Sequence, residues 1–467
     1  MTLAQTRFTT DAGLVFNYNH KSNALSDEAG VDISLNDSGD FSEYIELAKT
    51  TYGKRTKSNT PTALRILMGH ACNYNCTYCM QKDIGNPNEL PRRKNLDTFF
   101  ENIAEHLDIT KLTRIELWGG EPFLYWQDMQ ALMTYFDREG MSYAISTNGS
   151  ALHHKHSEFF KTLKSEVIIS ISHDGPRQLQ LRGEEIFTRP RVISTLQEFD
   201  ALPNVRYGFQ CSVTNTNYDL FAINDFFRNQ IVENNLQTWN LYFSLGRTYQ
   251  EKPSGAGHLG CNVIEEAPNT PPGSDSQLHV IHGENIPKFR VVLAEFLEAH
   301  YQQFTKHGFD GDQPAVFSAH RDDLPLLFCD IYESTVAYSV IEYARKTICK
   351  EPILESTNCG ADMSDILSTD LDGSVRTCPH AGEKHIHGHI SNLKTVRIIS
   401  LDINAKESHC GGCINRVLCR SSCPIKLPDE TFLTNCRVEK VWYGEIQKAA
   451  FRLIFGQKLA SAEEVTQ

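Results

Sequence analysis

Long apolar runs are missing from this 467-residue chain: no stretch approaches the roughly 18 consecutive apolar residues of a membrane span. The opening Met1-Thr2-Leu3-Ala4-Gln5-Thr6 lacks the apolar core of a secretory signal, so a cytoplasmic protein with no membrane partner is expected. Basic residues are also short, with 45 Lys and Arg against 58 Asp and Glu, a net charge of -13. That balance argues against nucleic acid as a partner, because phosphate-backbone affinity leans on a basic surface. Without an export signal, the fourteen cysteines are not expected to form a disulfide framework; in a reducing compartment such clusters more often hold metal. What remains, 40 % hydrophobic and 22 % charged, is the composition of a soluble globular protein, and the length calls for two or three packed units.

From about residue 63 the chain alternates short apolar or β-branched runs with helical patterns, which predicts repeated β/α units and a parallel sheet. Six strands are expected, at Ala63 to Met68, Arg114 to Trp118, Tyr143 to Ser146, Val167 to Ile171, Tyr207 to Thr214 and Trp239 to Leu245. Helices are expected at Asp97 to Leu107, Arg191 to Phe199, Phe289 to Phe304 and Lys440 to Phe455. The run Val167-Ile168-Ile169-Ser170-Ile171 reads as a strand buried on both faces. Six units make an α/β fold with a partial (β/α)6 TIM-like barrel, whose chemistry belongs at the carboxyl ends of the strands. The expected divisions are an N-terminal extension with a hairpin at 1–60, the barrel at 61–247, and an insertion with bridging helices at 248–345. A cysteine-rich domain at 346–440 and a terminal helix with a polar tail at 441–467 complete the chain.

The segment His70-Ala71-Cys72-Asn73-Tyr74-Asn75-Cys76-Thr77-Tyr78-Cys79 follows the first strand directly and puts three thiols on one loop. Three thiolates can each hold one iron of a cubane and leave the fourth iron without a protein ligand. The alternatives are a structural zinc site, which needs a fourth nearby ligand and prefers other spacings, or buried structural cysteines.

C-x3-C-x2-C with an aromatic residue before the last cysteine resembles the signature of the radical S-adenosylmethionine superfamily. The resemblance implies that Cys72, Cys76 and Cys79 hold a 4Fe-4S cluster whose open iron chelates S-adenosylmethionine. One electron then splits that cofactor into methionine and a 5'-deoxyadenosyl radical. Later strand ends carry similar elements. Gly119, Gly120, Glu121 and Pro122 resemble the family's GGEP turn, which receives the cofactor's amino group, and Tyr78 is the aromatic residue of the cysteine motif. Ser146 and Asn148 end the third strand, Ser172 and Asp174 the fourth; by resemblance the serine of the fourth strand and Arg182 contact the cofactor's carboxylate and ribose, and Thr214 borders its adenine side. The interval from Asp174 to Arg182 is about two residues shorter than the commonest pattern of the family. Read singly, Asn-Gly and Asp-Gly are common turn dipeptides; their ordered recurrence carries the resemblance.

A second pattern runs Cys359, Cys378, Cys410, Cys413, Cys419, Cys423 and Cys436. It is similar, cysteine for cysteine, to the SPASM extension of peptide-modifying radical S-adenosylmethionine enzymes. The resemblance implies two auxiliary 4Fe-4S clusters and thus three in all, one on Cys410, Cys413, Cys419 and Cys436, the other on Cys359, Cys378 and Cys423. Cys349 is the candidate fourth ligand of the latter, the alternatives being a free buried cysteine or an open position. A zinc ribbon is the other reading of Cys410 to Cys423. Cys211, Cys261 and Cys329 read as structural, and His380, His385, His387 and His389 as surface residues.

The resemblance implies oxidative modification of a ribosomal precursor peptide, by a carbon-carbon, ether or thioether crosslink, with a reductant such as flavodoxin or ferredoxin as partner. Auxiliary clusters beside the barrel mouth would accept an electron or position the substrate. Formylglycine formation of the anaerobic sulfatase-maturing type is disfavoured, because Pro379-His380 stands where that family carries an aspartate. Epimerisation and small-molecule dehydrogenation remain alternatives, and a non-catalytic iron-sulfur scaffold or electron carrier is the alternative of a different class. The scaffold would have no need of the cofactor-binding elements after strands two to five.

Overall fold

A computed structural model describes residues 5–19, 23–33, 56–79, 81, 96–237, 241–246, 280–306, 360–378, 385–398, 415–419 and 429–465, with single positions at 336, 339, 340, 343, 344, 347 and 413. Cys261, Cys329, Cys349, Cys359, Cys410, Cys423 and His380, and residues 248–279 of the expected insertion, lie outside the described residues.

Six parallel strands form the centre of the molecule: β4 (Ala63–Leu67), β5 (Arg114–Trp118), β6 (Ser142–Thr147), β7 (Glu166–Ser172), β8 (Val205–Val213) and β9 (Leu241–Leu245), each paired with the next. They agree with the expected strands to within a few residues, and the α/β partial barrel stands. Consecutive parallel strands need a crossover, and helices Asp97–His106 (α1), Trp126–Phe136 (α2), His154–Phe160 (α3), Gln178–Arg182 (α4), Pro190–Asp200 (α5) and Leu220–Glu233 (α6) fall in the intervals. Local chemistry sets their ends. Pro190 opens α5, where its fixed φ suits a first turn, and the Asp219 carboxylate caps α6 by accepting from the Ala222 N–H. Phe99 and Ile103, four apart on α1, are both buried.

The strands correct one expectation. Val167, Ile169 and Ile171 are buried, but Ile168 and Ser170 are only half-buried, and the same alternation runs through β6. The outer face packs on the helices, whereas the inner face opens on the barrel interior, so β7 is not covered alike on both sides. Pairing register aligns Ser146, Ser170 and Gly208 in one inner row.

The cysteine-rich segment does not stand apart from the barrel. Strand β10 (Ile366–Asp370) pairs in parallel with β4, and β11 (Ser374–Arg376) and β12 (Ile386–His389) follow antiparallel, which extends the sheet to nine strands. Lys57 secures this junction: its buried ammonium donates to the carbonyls of Ala361, Met363 and Ile366 at 2.6–2.8 Å. His387 and His389 of β12 are half-buried and bonded within this region, His387 to Thr377 and His389 to the Asp372 carbonyl.

The termini form a second sheet. The expected hairpin is present as β1 (Gln5–Thr10) and β2 (Val15–Asn19), joined by β3 (Ala24–Asp27). The expected polar tail is instead strand β13 (Leu459–Val465), which pairs antiparallel with β1 from Gln5–Val465 to Thr10–Leu459. Helix α7 (Asn285–Lys306) packs against the long last helix, Asp429–Phe455, which follows the short helix Arg416–Cys419 (α8) and is termed α9. Phe451 of α9 is fully buried and its ring centroid lies 4.8 Å from Phe8, 5.3 Å from Phe16, 5.7 Å from Tyr18 and 6.1 Å from Tyr343.

Because one ring joins strands from the start of the chain to a helix near its end, Phe451→Ala should lower unfolding stability by about 3–5 kcal/mol, the usual range for a buried Phe replaced by Ala. Val232→Ala, at a position 74 % exposed, should change it by less than about 0.5 kcal/mol. Urea unfolding of the two variants checks both, and equal midpoints would show that the terminal sheet does not depend on this helix.

Candidate active site

The cysteine loop leaves the carboxyl end of β4 and is stitched by backbone to the turn that leaves β5. The Gly120 N–H donates to the Gly69 carbonyl and the Glu121 N–H to the Ala71 carbonyl, both at 2.9 Å. A Cβ on Gly119 would lie 2.6 Å from the Gly69 oxygen, and one on Gly120 would lie 2.4 Å from the oxygens of His70 and Ala71. Such contacts are with backbone and cannot be relieved by a rotamer, so both positions require glycine. Pro122 then opens a buried 3-10 turn, Pro122–Tyr125. The Tyr125 hydroxyl accepts from the Ala71 N–H at 2.9 Å and lies where any Gly69 side chain would stand.

Glu121 is fully buried at this junction. One carboxylate oxygen accepts from the Phe123 N–H at 3.0 Å and the Thr147 hydroxyl at 2.7 Å, and the other from the Asn148 N–H at 2.7 Å. Burial pushes its pKa up to about 6, against the opposing pull of these three donors. The acid therefore holds the β6 turn to the β5 turn through protein donors, a role that its place in the sequence motif did not disclose. Asn148 likewise engages protein groups, those of the cysteine loop and of Ser150.

The ends of β7 and β8 grip the other side of the loop. Asp174 is fully buried; its carboxylate accepts from the Tyr78 hydroxyl, from Arg182 Nε at 2.9 Å and from the Ser212 N–H at 3.2 Å. The Arg182 guanidinium sits 5.3 Å from the Tyr78 ring centroid, and the Leu181 carbonyl accepts from the Thr77 N–H at 2.8 Å. Tyr78, Asp174 and Arg182, picked out from three separate motifs, thus meet in one cluster despite the short Asp174 to Arg182 interval. Ser146 and Ser172 are half-buried on the inner strand face, and Thr214 carries a buried hydroxyl with no hydrogen-bond partner among the described residues.

Several contributors carried no sequence motif. His173 is buried among Phe187, Phe226 and Phe227. Its Nδ1 accepts from the Gly175 N–H at 3.0 Å, so Nε2 carries the proton and donates to Glu185 at 2.8 Å. Burial holds its pKa below the usual range, which suits this neutral form. Asn217 donates to the Asp174 carbonyl at 3.1 Å and to the sulfur of Cys211, a fully buried structural cysteine, at 3.4 Å. Cys211, expected to be structural, falls on the covered face of β8.

The thiols themselves are partly covered: Cys76 is buried, and Cys72 and Cys79 half-buried. Burial pushes the Cys72 thiol up to about 12 and the Cys76 thiol up to about 11, so in the metal-free chain both stay protonated at neutral pH. Two N–H groups face the Cys72 sulfur, that of Tyr74 at 3.4 Å and the Asn148 amide at 3.9 Å. Among the described residues no three His, Cys, Asp or Glu side chains converge as the ligands of a single ion must. A cubane makes a different demand, because each thiolate serves its own iron. Three soft donors on one loop, with N–H groups aimed at sulfur, fit a cluster better than a zinc ion.

In the C-terminal segment, Cys378, Cys413, Cys419 and Cys436 are all half-buried. The Cys419 thiol donates to the buried Glu439 carboxylate at 3.2 Å, and Glu439 lies one helical turn after Cys436 on α9. Helix α8 and the face of α9 that carries Cys436 thus adjoin, held also by the Asn415 amide on the Lys440 carbonyl at 3.0 Å. Cys378 follows β11, where Arg376 pairs with Ser368 and Ser368 with Arg65. Being antiparallel to β10, β11 runs toward the amino ends of the barrel strands, and Cys378 lies two residues beyond its last paired position.

Residues 66–199 match the Radical SAM superfamily. Over 162 residues the chain is 25% identical to the radical SAM cyclopropyl synthase TigE of Paramaledivibacter caminithermalis, covering 31% of this chain and 34% of that relative. Over 161 residues it is 28% identical to the uncharacterized protein MJ0907 of Methanocaldococcus jannaschii, covering 33% and 54%. The matched chain thus spans about a third of the length of the first relative and about half of the second. Among solved structures, native anSMEcpe with bound AdoMet superposes with a TM-score of 0.52 at 16% identity, over 84% of this chain and 98% of that one. The same protein with bound AdoMet and a Cp18Cys peptide gives a TM-score of 0.50, again at 16% identity over 84% and 98%. At such identity the shared property is the fold, a partial barrel.

The Glu121 carboxyl makes a pH test possible. Its folded pKa of about 6 exceeds the unfolded reference of 4.5, so between these values the folded chain holds a proton that the unfolded chain has released. Its contribution to stability therefore falls as pH rises from 4.5 to 6 and is level above, by about 2 kcal/mol in all. Unfolding free energies of the metal-free wild type and Glu121→Gln, measured across this window, should converge or cross by that amount. A difference that stays flat would contradict the assignment.

Proposed function

Because the chain contains a radical SAM domain, we propose that it is a radical S-adenosylmethionine oxidoreductase that modifies a peptide. Cys72, Cys76 and Cys79 would hold a 4Fe-4S cluster at the barrel mouth. The observation that carries this reading is the stitched loop: three thiols on one segment whose backbone bonds the turn after β5 and the carbonyl of Leu181, with N–H donors on the Cys72 sulfur and no fourth protein ligand in their motif. A cluster bound there would supply the electron for reductive cleavage of S-adenosylmethionine.

The chain's own residues do the rest by placement. The raised Cys72 and Cys76 thiols lose their protons to solvent only as iron binds, so loading should release protons. Gly119 and Gly120 bring bare backbone to the loop, Glu121 locks the turn after β6, and the Tyr78, Asp174 and Arg182 cluster anchors the third cysteine. Ser146 and Ser172, half-buried on the inner face, and Thr214, with its unpartnered hydroxyl, are the groups left to meet cofactor or substrate.

Two further 4Fe-4S clusters are part of this reading, on Cys410, Cys413, Cys419 and Cys436, and on Cys359, Cys378 and Cys423 with Cys349. The adjoining faces of α8 and α9, which carry Cys419 and Cys436, support the first. A peptide substrate is supported by the peptide seen with a protein of the same fold, and a crosslink is the two-electron outcome we favour. Oxidation of this kind starts with a one-electron reductant, such as flavodoxin or ferredoxin.

Anaerobic reconstitution followed by iron and sulfide counting tests the clusters: about twelve irons per chain are expected, whereas about four would remove the auxiliary pair. With dithionite and S-adenosylmethionine the loaded protein should release 5'-deoxyadenosine, and Cys76→Ala should abolish this. Gly120→Ala should lose most of it too, since its Cβ meets two backbone oxygens at 2.4 Å. Fully loaded protein that releases none would favour an electron carrier.

A further inference from the structure

We propose that Asn148 is a positioning residue for the first cysteine ligand, its side-chain amide donating to the Cys72 sulfur and so setting the reduction potential of the cluster held there. The inference rests on the reading of Cys72, Cys76 and Cys79 as cluster ligands. It goes beyond that reading because it assigns Asn148 to the protein side of the site, whereas its place in the Ser146-Thr147-Asn148-Gly149 turn suggested contact with the cofactor.

The geometry fixes which end of the amide faces sulfur. The Ser150 backbone N–H can only donate, and it lies 2.9 Å from Asn148 Oδ1, so that atom is the oxygen and Nδ2 points the other way. A closed ring of hydrogen bonds follows. Asn148 Nδ2 donates to Asn73 Oδ1 at 2.9 Å, Asn73 Nδ2 donates to Ser150 Oγ at 2.7 Å, and the Ser150 hydroxyl donates back to Asn148 Oδ1 at 2.6 Å. The remaining Nδ2 proton has the Cys72 sulfur 3.9 Å away. Both lone-pair positions of Oδ1 and both protons of Nδ2 are thereby committed, and the residue is only 6 % exposed. Nothing on the amide is left for a cofactor.

The backbone adds to the restraint, because the Asn148 N–H is itself held by the buried Glu121 carboxylate at 2.7 Å. The ring thus ties a residue of the cysteine loop, Asn73, to the turn after β6 and points a fixed N–H at the ligand sulfur. A donor at a ligating sulfur favours the more negative, reduced cluster, and hydrogen bonds to sulfur are among the factors that set such potentials. Removing this donor should therefore lower the potential. Since the contact is long, a three- to tenfold fall in the reduced-to-oxidised ratio at fixed poise is expected; tenfold corresponds to 59 mV for one electron.

The test is a redox titration of the reconstituted full-length protein, following the electron paramagnetic resonance signal that changes when S-adenosylmethionine is added, which marks the cluster on Cys72, Cys76 and Cys79. Two variants serve. Asn148→Ala removes the whole amide, whereas Asn148→Asp keeps the acceptor for Ser150 and puts an oxygen where the donor stood. Both should retain the iron of this site and titrate at lower potential, Asn148→Asp the lower of the two. An unchanged midpoint in Asn148→Asp would overturn the proposal, as would loss of about four irons from both variants, since the residue would then serve assembly and not potential. A wild-type chain that binds no cluster at these cysteines would instead overturn the underlying reading.

Discussion

Two backbone hydrogen bonds, from Gly120 to Gly69 and from Glu121 to Ala71, fix the strand ends on which the site is built. They require the loop after β4 and the turn after β5 to approach within a distance that no Cβ allows. Once that approach is made, the rest follows from neighbours in the sheet. Glu121 is carried into the interior, where it accepts from its own turn at Phe123 and from two donors of the turn after β6, and that turn is held toward the cysteine loop. The barrel thus arranges its first three strand ends through one buried carboxylate.

The fourth and fifth strand ends act on the other flank with different chemistry. Here an ion pair, Asp174 with Arg182, is buried beside Tyr78. A buried pair of this kind is weak evidence for stability, because desolvation offsets most of the attraction, but it is specific in direction. Asp174 also takes a backbone N–H of β8 and Arg182 follows the residue whose carbonyl holds Thr77, so the pair links β7, β8 and α4 to the third cysteine. Neutral His173, held by Gly175 and Glu185, braces the turn from behind.

Much of this was legible in the sequence because the informative patterns are local. The strands of the barrel are short apolar runs at regular intervals, and the cysteine spacing, the paired glycines and the Asn-Gly and Asp-Gly turns each lie within a few residues. What the sequence did not disclose are pairings between distant segments. Strand β13 reads as a polar tail because Leu459–Val465 carries Ser461, Glu463 and Glu464 among small apolar residues; pairing with β1, at the other end of the chain, makes it a strand. Strands β10 to β12 likewise fall in the expected cysteine-rich domain, where no strand is expected; β4 supplies the edge on which β10 pairs. At the site, Glu121 and Asn148 belong to the expected motifs, and the structure adds that both bond protein groups, which depends on donor directions that no spacing encodes. The near-continuous apolar run of β7 gave no sign of its alternating burial, because that depends on whether the inner face is covered.

The central claim is that this stitched loop presents an iron with an open position to S-adenosylmethionine. The most direct measurement is electron-nuclear double resonance on the reduced, reconstituted protein with S-adenosylmethionine labelled with 15N in the amino group and 17O in the carboxylate. Hyperfine coupling from both labels, lost in a Cys76→Ala variant, is the predicted result. An intact cluster that shows coupling from neither label would contradict the account.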